Sequence, residues 1–226
     1  MPRRLLVTGF GPFPSMPRNP SAAAARAVAA SPRWRRLGVD AKPAIITTAY
    51  SALVSELDPL LQERPDAVLM IGVAGRSNRV RVEWRGTSRR STLFPDVAGE
   101  RAETPSPVRG RPALSTTVPA GKMLRVLRRH RLPSRLSRDA GRYLCNASYH
   151  RALGTGLPVL FIHIPRTPDP NRPAAVGPRR RCARWPERLA GALTEVAVEL
   201  LREARRNALN RGRPSAKPAG SGQAGP

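Results

Sequence analysis

The residues best suited to chemistry are a thiol and an imidazole that stand close together in the chain. Cys145 lies in Gly141-Arg-Tyr-Leu-Cys-Asn146, a glycine turn that follows the polar turn Ser137-Arg-Asp139. The next stretch, Ala147-Ser-Tyr-His-Arg-Ala-Leu153, reads as one short helix, which puts the cysteine at its start. A thiol there feels unpaired backbone N–H groups and the positive end of the helix dipole, both of which favour thiolate. Pro158-Val-Leu-Phe-Ile-His-Ile-Pro165 then reads as an apolar strand that delivers His163 at its carboxyl end. A cysteine on a helix start and a histidine at a strand end suit a nucleophile and its base, so the pattern reads as a cysteine hydrolase.

Each of these residues also has a structural reading. Cys145 is either the nucleophile or a small buried hydrophobe. A lone histidine in an apolar strand is more often a core residue satisfied by its neighbours than a base, and the place of His163 at the end of the strand, just before Pro165, brings the two readings level. Glu83 shares one side of Arg79-Val-Arg-Val-Glu-Trp-Arg85 with Arg81 and Arg85. Spacing alone favours a surface carboxylate between two arginines. The other reading makes Glu83 the third group of a triad, accepting a hydrogen bond from His163 and stabilising the imidazolium. Cys182 sits among arginines with nothing to place a base beside it, so it reads as a solvated loop thiol. His130 and His150 read as surface residues among charges. Gly72-Val-Ala-Gly-Arg76 lacks the third glycine of a dinucleotide fingerprint, and no P-loop lysine follows a glycine run, which argues against a nucleotide cofactor. No pair of His, Cys, Asp or Glu has zinc-ligand spacing, so no metal is expected either.

The elements that must position these groups alternate. Arg3 to Gly9 reads as a buried strand with Phe10 to Ser15 as a loop at its carboxyl end, and Pro43 to Thr48 and Ala67 to Gly72 as further strands, with an alanine-rich helix opened by Asn19-Pro-Ser21 and running to about Ala30. Ser51 to about Glu63 is helical in composition, with Pro59 expected to kink or break it. This order implies βαβ units and a mostly parallel sheet. Arg79 to Arg85 alternates with period two, which predicts a strand with one wet face. Residues 86–119 read as a long polar excursion. Lys122 to Arg131 reads as an amphipathic helix with Met123, Val126 and Leu127 inward. Arg135 to Ser137 reads as a short strand. A proline-rich surface loop from Pro165 to Pro178, with Arg179-Arg-Arg181 after it, leads to a closing helix from Pro186 to about Arg206. Residues 1–206 are expected to form one catalytic domain, and residues 207–226 a disordered basic, Gly/Pro/Ala-rich tail.

Composition narrows the class. A chain of 226 residues can bury roughly 70% of its unfolded surface in one domain. No apolar run approaches the ~20 residues of a membrane span. Met1-Pro-Arg-Arg4 is followed only by Leu5-Leu-Val7 before Thr8-Gly9, so no signal peptide is expected. Two cysteines make no disulfide framework, which fits a reducing cytosol. The net charge of +25 raises the question of nucleic acid. The basic residues, nearly all arginine, are spread along the whole chain, and aromatics are only 4%. Stacking platforms are therefore scarce, and nonspecific polyanion binding at low salt is the expectation.

Four motifs in order resemble one family, the pyroglutamyl peptidases (pyrrolidone-carboxylate peptidases), over about residues 4 to 205. Leu6-Val-Thr-Gly-Phe-Gly-Pro-Phe13 followed by Asn19-Pro-Ser21 is similar to the family's amino-terminal signature. Gly72-Val-Ala-Gly-Arg76 with Glu83 resembles its glutamate motif, Ala140-Gly-Arg-Tyr-Leu-Cys-Asn146 its nucleophile motif, and Phe161-Ile-His-Ile-Pro165 its histidine motif. The resemblance implies a three-layer α/β/α sandwich, no cofactor, often a homotetramer, and removal of an amino-terminal pyroglutamate from peptides in the cytoplasm. It implies Cys145 as nucleophile, His163 as base and then acid, and Glu83 as the group that orients the imidazole. Phe10, Phe13 and Asn19 would form the pocket, two rings gripping the lactam and an amide at its polar edge, with Val73 beside them.

The chain also departs from the family. Val73 stands where members often carry glutamine. In Trp84 to Phe94, Ser88 takes the place of an asparagine, Arg89-Arg-Ser91 spans an acidic pair, and Leu93 replaces an arginine. Two further expectations follow. One is a thiol amidase of the same fold with a changed small acyl or lactam substrate. The other is a catalytically weak relative that binds acidic partners through its arginines.

Overall fold

The computed structural model describes residues 2–102, 113–166 and 185–211. Cys182, the proline-rich loop, Arg179 to Arg181, part of the 86–119 excursion and the tail from residue 212 onward lie outside the described residues.

Six strands form the central sheet. They are β1 (Arg3–Phe10), β2 (Val39–Ile46), β3 (Ala67–Ala74), β4 (Val80–Glu83), β7 (Ser134–Ser137) and β8 (Val159–Pro165). Their spatial order is β2-β1-β3-β8-β4-β7. All neighbouring pairs are parallel except β4 with β8, which run antiparallel. Pro43 is tolerated in β2 because that strand lies at the edge, where one row of backbone donors needs no partner. The two remaining strands, β5 (Arg85–Thr87) and β6 (Ala113–Ser115), pair as a small antiparallel ribbon. Part of the polar excursion is thus strand, in pieces too short for any periodicity to show.

Helices cover both faces of the sheet, the three-layer arrangement the resemblance implies. On one face, α1 (Pro20–Ala29), α4 (Ala120–Arg129) and α6 (Trp185–Arg211) pack over Leu5, Val7, Leu69, Ile71, Val80, Val82 and Ile162. The short α2 (Arg33–Leu37) contributes Trp34 to the same core. Lys122 on α4 reaches Glu199 at 2.6 Å and Glu203 at 2.8 Å on α6, which pairs the only carboxylates buried in that layer among the described residues. The other face is covered by α3 (Asp58–Gln62) and α5 (Leu144–Leu153) over Leu6, Phe10, Val68, Met70, Val159 and Phe161.

Two boundaries differ from the sequence reading for local reasons. The segment before α3 is a π-helical turn, Leu53–Leu57. Pro59 has no N–H to donate back to Ser55, so the chain widens there and restarts with proline in the first turn of α3. Meanwhile α6 continues through Asn207-Ala-Leu-Asn-Arg211, a stretch with no glycine or proline to stop it, so the expected tail begins five residues too early.

A larger correction concerns β4. Its alternation is as expected, with Val80 and Val82 on the face of α4 and α6. The opposite side, expected to be wet, is not: Glu83 is 0% exposed and Arg81 is mostly buried. α5 covers that face, and a period-two pattern in one strand carries no information about what a later helix will cover.

Candidate active site

Strand register brings the site together at the carboxyl end of β3 and β8. His163 on β8 sits between Gly72 of β3 and Arg81 of β4. His163 and Phe161 point to the α5 face, their ring centroids 4.8 Å apart. Glu83 lies on the same face, two residues along β4 from Arg81, and is fully buried. His163 is 4% exposed, and its Nδ1 lies 2.9 Å from Glu83 Oε1. That bond fixes the proton on Nδ1 and leaves Nε2 for a second partner.

Cys145, the second residue of α5, lines the same cavity as His163 and acts on its imidazole from there. Burial alone would discourage protonation of His163. The interactions with Cys145 and Glu83 outweigh it, and the imidazole pKa is raised to about 9. The loop that delivers the cysteine is held on both sides. Gly141 takes a φ of 92°, a conformation side chains resist, and its N–H donates to Asp139 Oδ1 at 2.9 Å. Tyr143, the residue before α5, makes no side-chain cap, so no side chain there takes up the first N–H groups of the helix.

Arg81 is a member of this cluster that the sequence reading passed over. Its Nε is 2.9 Å from the same Glu83 oxygen that His163 uses, although the N–H does not point along the contact. The guanidinium donates to Ser137 Oγ at 2.6 Å and to the carbonyl of Asp139. One arginine therefore neutralises the buried carboxylate and ties the cysteine loop to β4. Its only sequence signal is a position two residues before Glu83 on the same strand face.

Two further motif residues, Gly72 and Asn146, shape the site. A Cβ on Gly72 would sit 2.7 Å from the Phe161 ring and 3.0 Å from Cys145 Sγ. The glycine is there because the thiol and ring lie directly over the strand, not because of a phosphate. Asn146 accepts from the N–H of Thr87 at 2.9 Å and donates to the carbonyls of Thr87 and Arg89, each at 2.8 Å. It pins the β5 ribbon to the nucleophile helix. Ser88, inside that pinned segment, is buried.

These groups open into a cavity of about 670 Å³. Phe10, Phe13, Asn19 and Val73 line it together with Cys145 and His163. Phe10 is buried, while Phe13 is half-exposed on a tight turn closed by mutual backbone bonds with Met16. Asn19 caps α1. Its Oδ1 accepts from Ser21 N at 3.1 Å and Ser21 Oγ at 2.8 Å, and its Nδ2 donates to the Gly11 carbonyl at 2.9 Å. Most of its amide is thus spent on shaping the wall.

Of the remaining histidines, His130 sits among surface charges as expected, beside Arg129 and Glu195, and only His150 departs from the expectation. His150 is buried on α5, and His130 Nε2 lies 2.7 Å from Glu195 Oε2 on α6. Leu93 is 76% exposed, and no residue of 84–94 lines the cavity, so of the departures from the family only Val73 reaches it. Among the described residues no group of three His, Cys, Asp or Glu could hold a metal, and no helix is long and apolar enough to cross a membrane.

Comparison with known proteins gives a consistent result. Residues 3–175 match the family profile described as pyroglutamyl peptidase. A pyrrolidone-carboxylate peptidase of Thermococcus kodakarensis is 32% identical over 171 residues, covering 72% of this chain and 81% of its own. One from Chromobacterium violaceum is 32% identical over 170 residues, covering 74% of this chain and 80% of its own. The crystal structure of pyrrolidone carboxyl peptidase from Thermus thermophilus superposes with a TM-score of 0.69 at 31% identity, covering 86% of this chain and 98% of that one. The chain belongs to the pyroglutamyl peptidase family.

Proposed function

We propose that the protein hydrolyses the amide bond after an amino-terminal pyroglutamyl residue of peptides, through Cys145, His163 and Glu83. The observation that carries this reading is buried His163, hydrogen-bonded to Glu83 and lining with Cys145 one cavity that Phe10 and Phe13 also line. Family membership supports the substrate.

In this reading His163 Nε2 takes the proton of Cys145, and Sγ adds to the pyroglutamyl carbonyl carbon. The first N–H groups of α5, which lack a cap, stabilise the oxyanion. The C–N bond then breaks as the imidazolium returns its proton to the departing amine, leaving a thioester on Cys145. Water, deprotonated by His163, hydrolyses the thioester and releases pyroglutamic acid and the free thiol. Glu83 holds the imidazole with Nε2 facing sulfur and stabilises its charged form. Phe10, Phe13 and Val73 clasp the flat lactam, and Asn19 sets the shape of that wall. A small ring offers little apolar area, so shape and paired polar groups must provide the discrimination.

The test is release of a fluorophore from an L-pyroglutamyl amide in reducing buffer, with wild type and Cys145→Ala side by side. The expected result is turnover by the wild type and a loss of at least about 10⁴-fold in the variant. Equal turnover by the two would refute Cys145 as nucleophile.

A further inference from the structure

In the reading above the lactam lies against Phe10, Phe13 and Val73, and the same cavity carries a second chemistry. Arg76, Arg79, Arg81, Arg135 and Arg142 all line it, against a single carboxylate, Asp139. Arg81 is committed to Glu83 and to the cysteine loop. Asp139 accepts the N–H of Gly141. The side chains of Arg76, Arg79, Arg135 and Arg142 have no ion-pair or hydrogen-bond partner among the described residues. Four solvated guanidiniums thus converge on one concave surface.

Their position matters as much as their number. His163 must reach the leaving nitrogen to protonate it, so the departing peptide lies on the histidine's side of the thiol. In the sheet that side runs from β8 to β4 and then β7, away from Phe10 on β1. Arg79 stands directly before β4, and Arg135 pairs in register with Arg81 on β7. The first residues after the scissile bond would lie over these arginines.

We infer that the enzyme prefers pyroglutamyl peptides whose next residues carry carboxylates. The inference rests on the pyroglutamyl reading above and adds the leaving-group class. Arginine suits this use because its fork pairs a carboxylate through two N–H groups and stays charged at any working pH. A cleft of one sign also raises the local concentration of an oppositely charged substrate, and salt weakens that effect.

The test compares two peptides of equal length, one with glutamate and one with its isostere glutamine directly after the pyroglutamyl residue. At low ionic strength kcat/KM for the glutamate peptide should exceed that for the glutamine peptide by about tenfold. The ratio should fall toward one at ~1 M salt, where the Debye length is only ~3 Å. In Arg79→Gln/Arg135→Gln the ratio should collapse at low salt too, through a raised KM for the glutamate peptide. Arg79→Lys/Arg135→Lys should keep most of the preference and its salt dependence. Equal rates on the two peptides in the wild type, or a ratio untouched by the double glutamine variant, would overturn the acidic preference alone. No cleavage of either peptide by the folded enzyme would overturn the pyroglutamyl reading and this one with it.

Discussion

The two faces of the central sheet are built from the same strands with opposite outcomes. Toward α1, α4 and α6 the strands present Leu5, Val7, Leu69, Ile71, Val80, Val82, Leu160, Ile162 and Ile164, an unbroken aliphatic layer. Toward α5 the amino-terminal half is equally apolar, with Leu6, Val68, Met70 and Phe161. At the carboxyl end this second face changes, to Gly72, His163, Arg81 and Glu83. Apolar burial needs only the right volume, so the first face tolerates approximate packing. Buried charge needs its partners in place, so each member of the second group is fixed by another.

That contrast can be broken from either side, beginning with the largest effect. Glu83→Gln keeps the shape but removes the charge that Arg81 and His163 share. It should lower kcat/KM by about 10²–10⁴-fold, measured on the pyroglutamyl amide. A loss below tenfold would mean that the imidazole needs no carboxylate. Gly72→Ala forces a methyl into the Phe161 ring and the thiol. A misplaced nucleophile should cost about 10²-fold in rate, with about 1–3 kcal/mol of stability lost to overpacking. Leu193→Ala, on the inner side of α6 on the other face, should do the reverse: about 2–5 kcal/mol lost in urea unfolding, with kcat retained in the folded fraction. A kcat that fell with it would join the two faces more tightly than this account allows. Leu93→Ser should be the quietest change. Its side chain is 76% exposed and outside the cavity, so stability should stay within about 0.5 kcal/mol and turnover should not move.

What could be read from the chain divides along the same line. The aliphatic strands and the helices with clear periodicity, such as Ala120–Arg129 and Trp185–Arg211, announce themselves because burial on one side repeats locally. Cys145 and His163 could be found because a turn and a strand end mark them. The burial of Glu83 could not, since it depends on α5, a helix that begins some sixty residues later. For the same reason Arg81 and Asn146 went without roles. Each makes sense only beside a segment distant in sequence, β7 and its loop for the first and Thr87 to Arg89 for the second. Gly72 could be rejected as part of a nucleotide fingerprint but not explained, because its reason is the sulfur above it.

The raised pKa of His163 gives the central claim its most direct measurement. An unfolded histidine titrates near ~6.5, whereas here the value is about 9. The stabilisation from the charged ring is therefore complete below ~6.5 and fades as pH rises through about 9. The same proton serves the leaving amine, so kcat/KM should decline on the alkaline side near that value. The measurement is the pH profile of kcat/KM on a pyroglutamyl amide for wild type and Glu83→Gln. If buried Glu83 holds the imidazole charged beside Cys145, the alkaline limb of the variant shifts to lower pH. Superimposable limbs in the two proteins would contradict it.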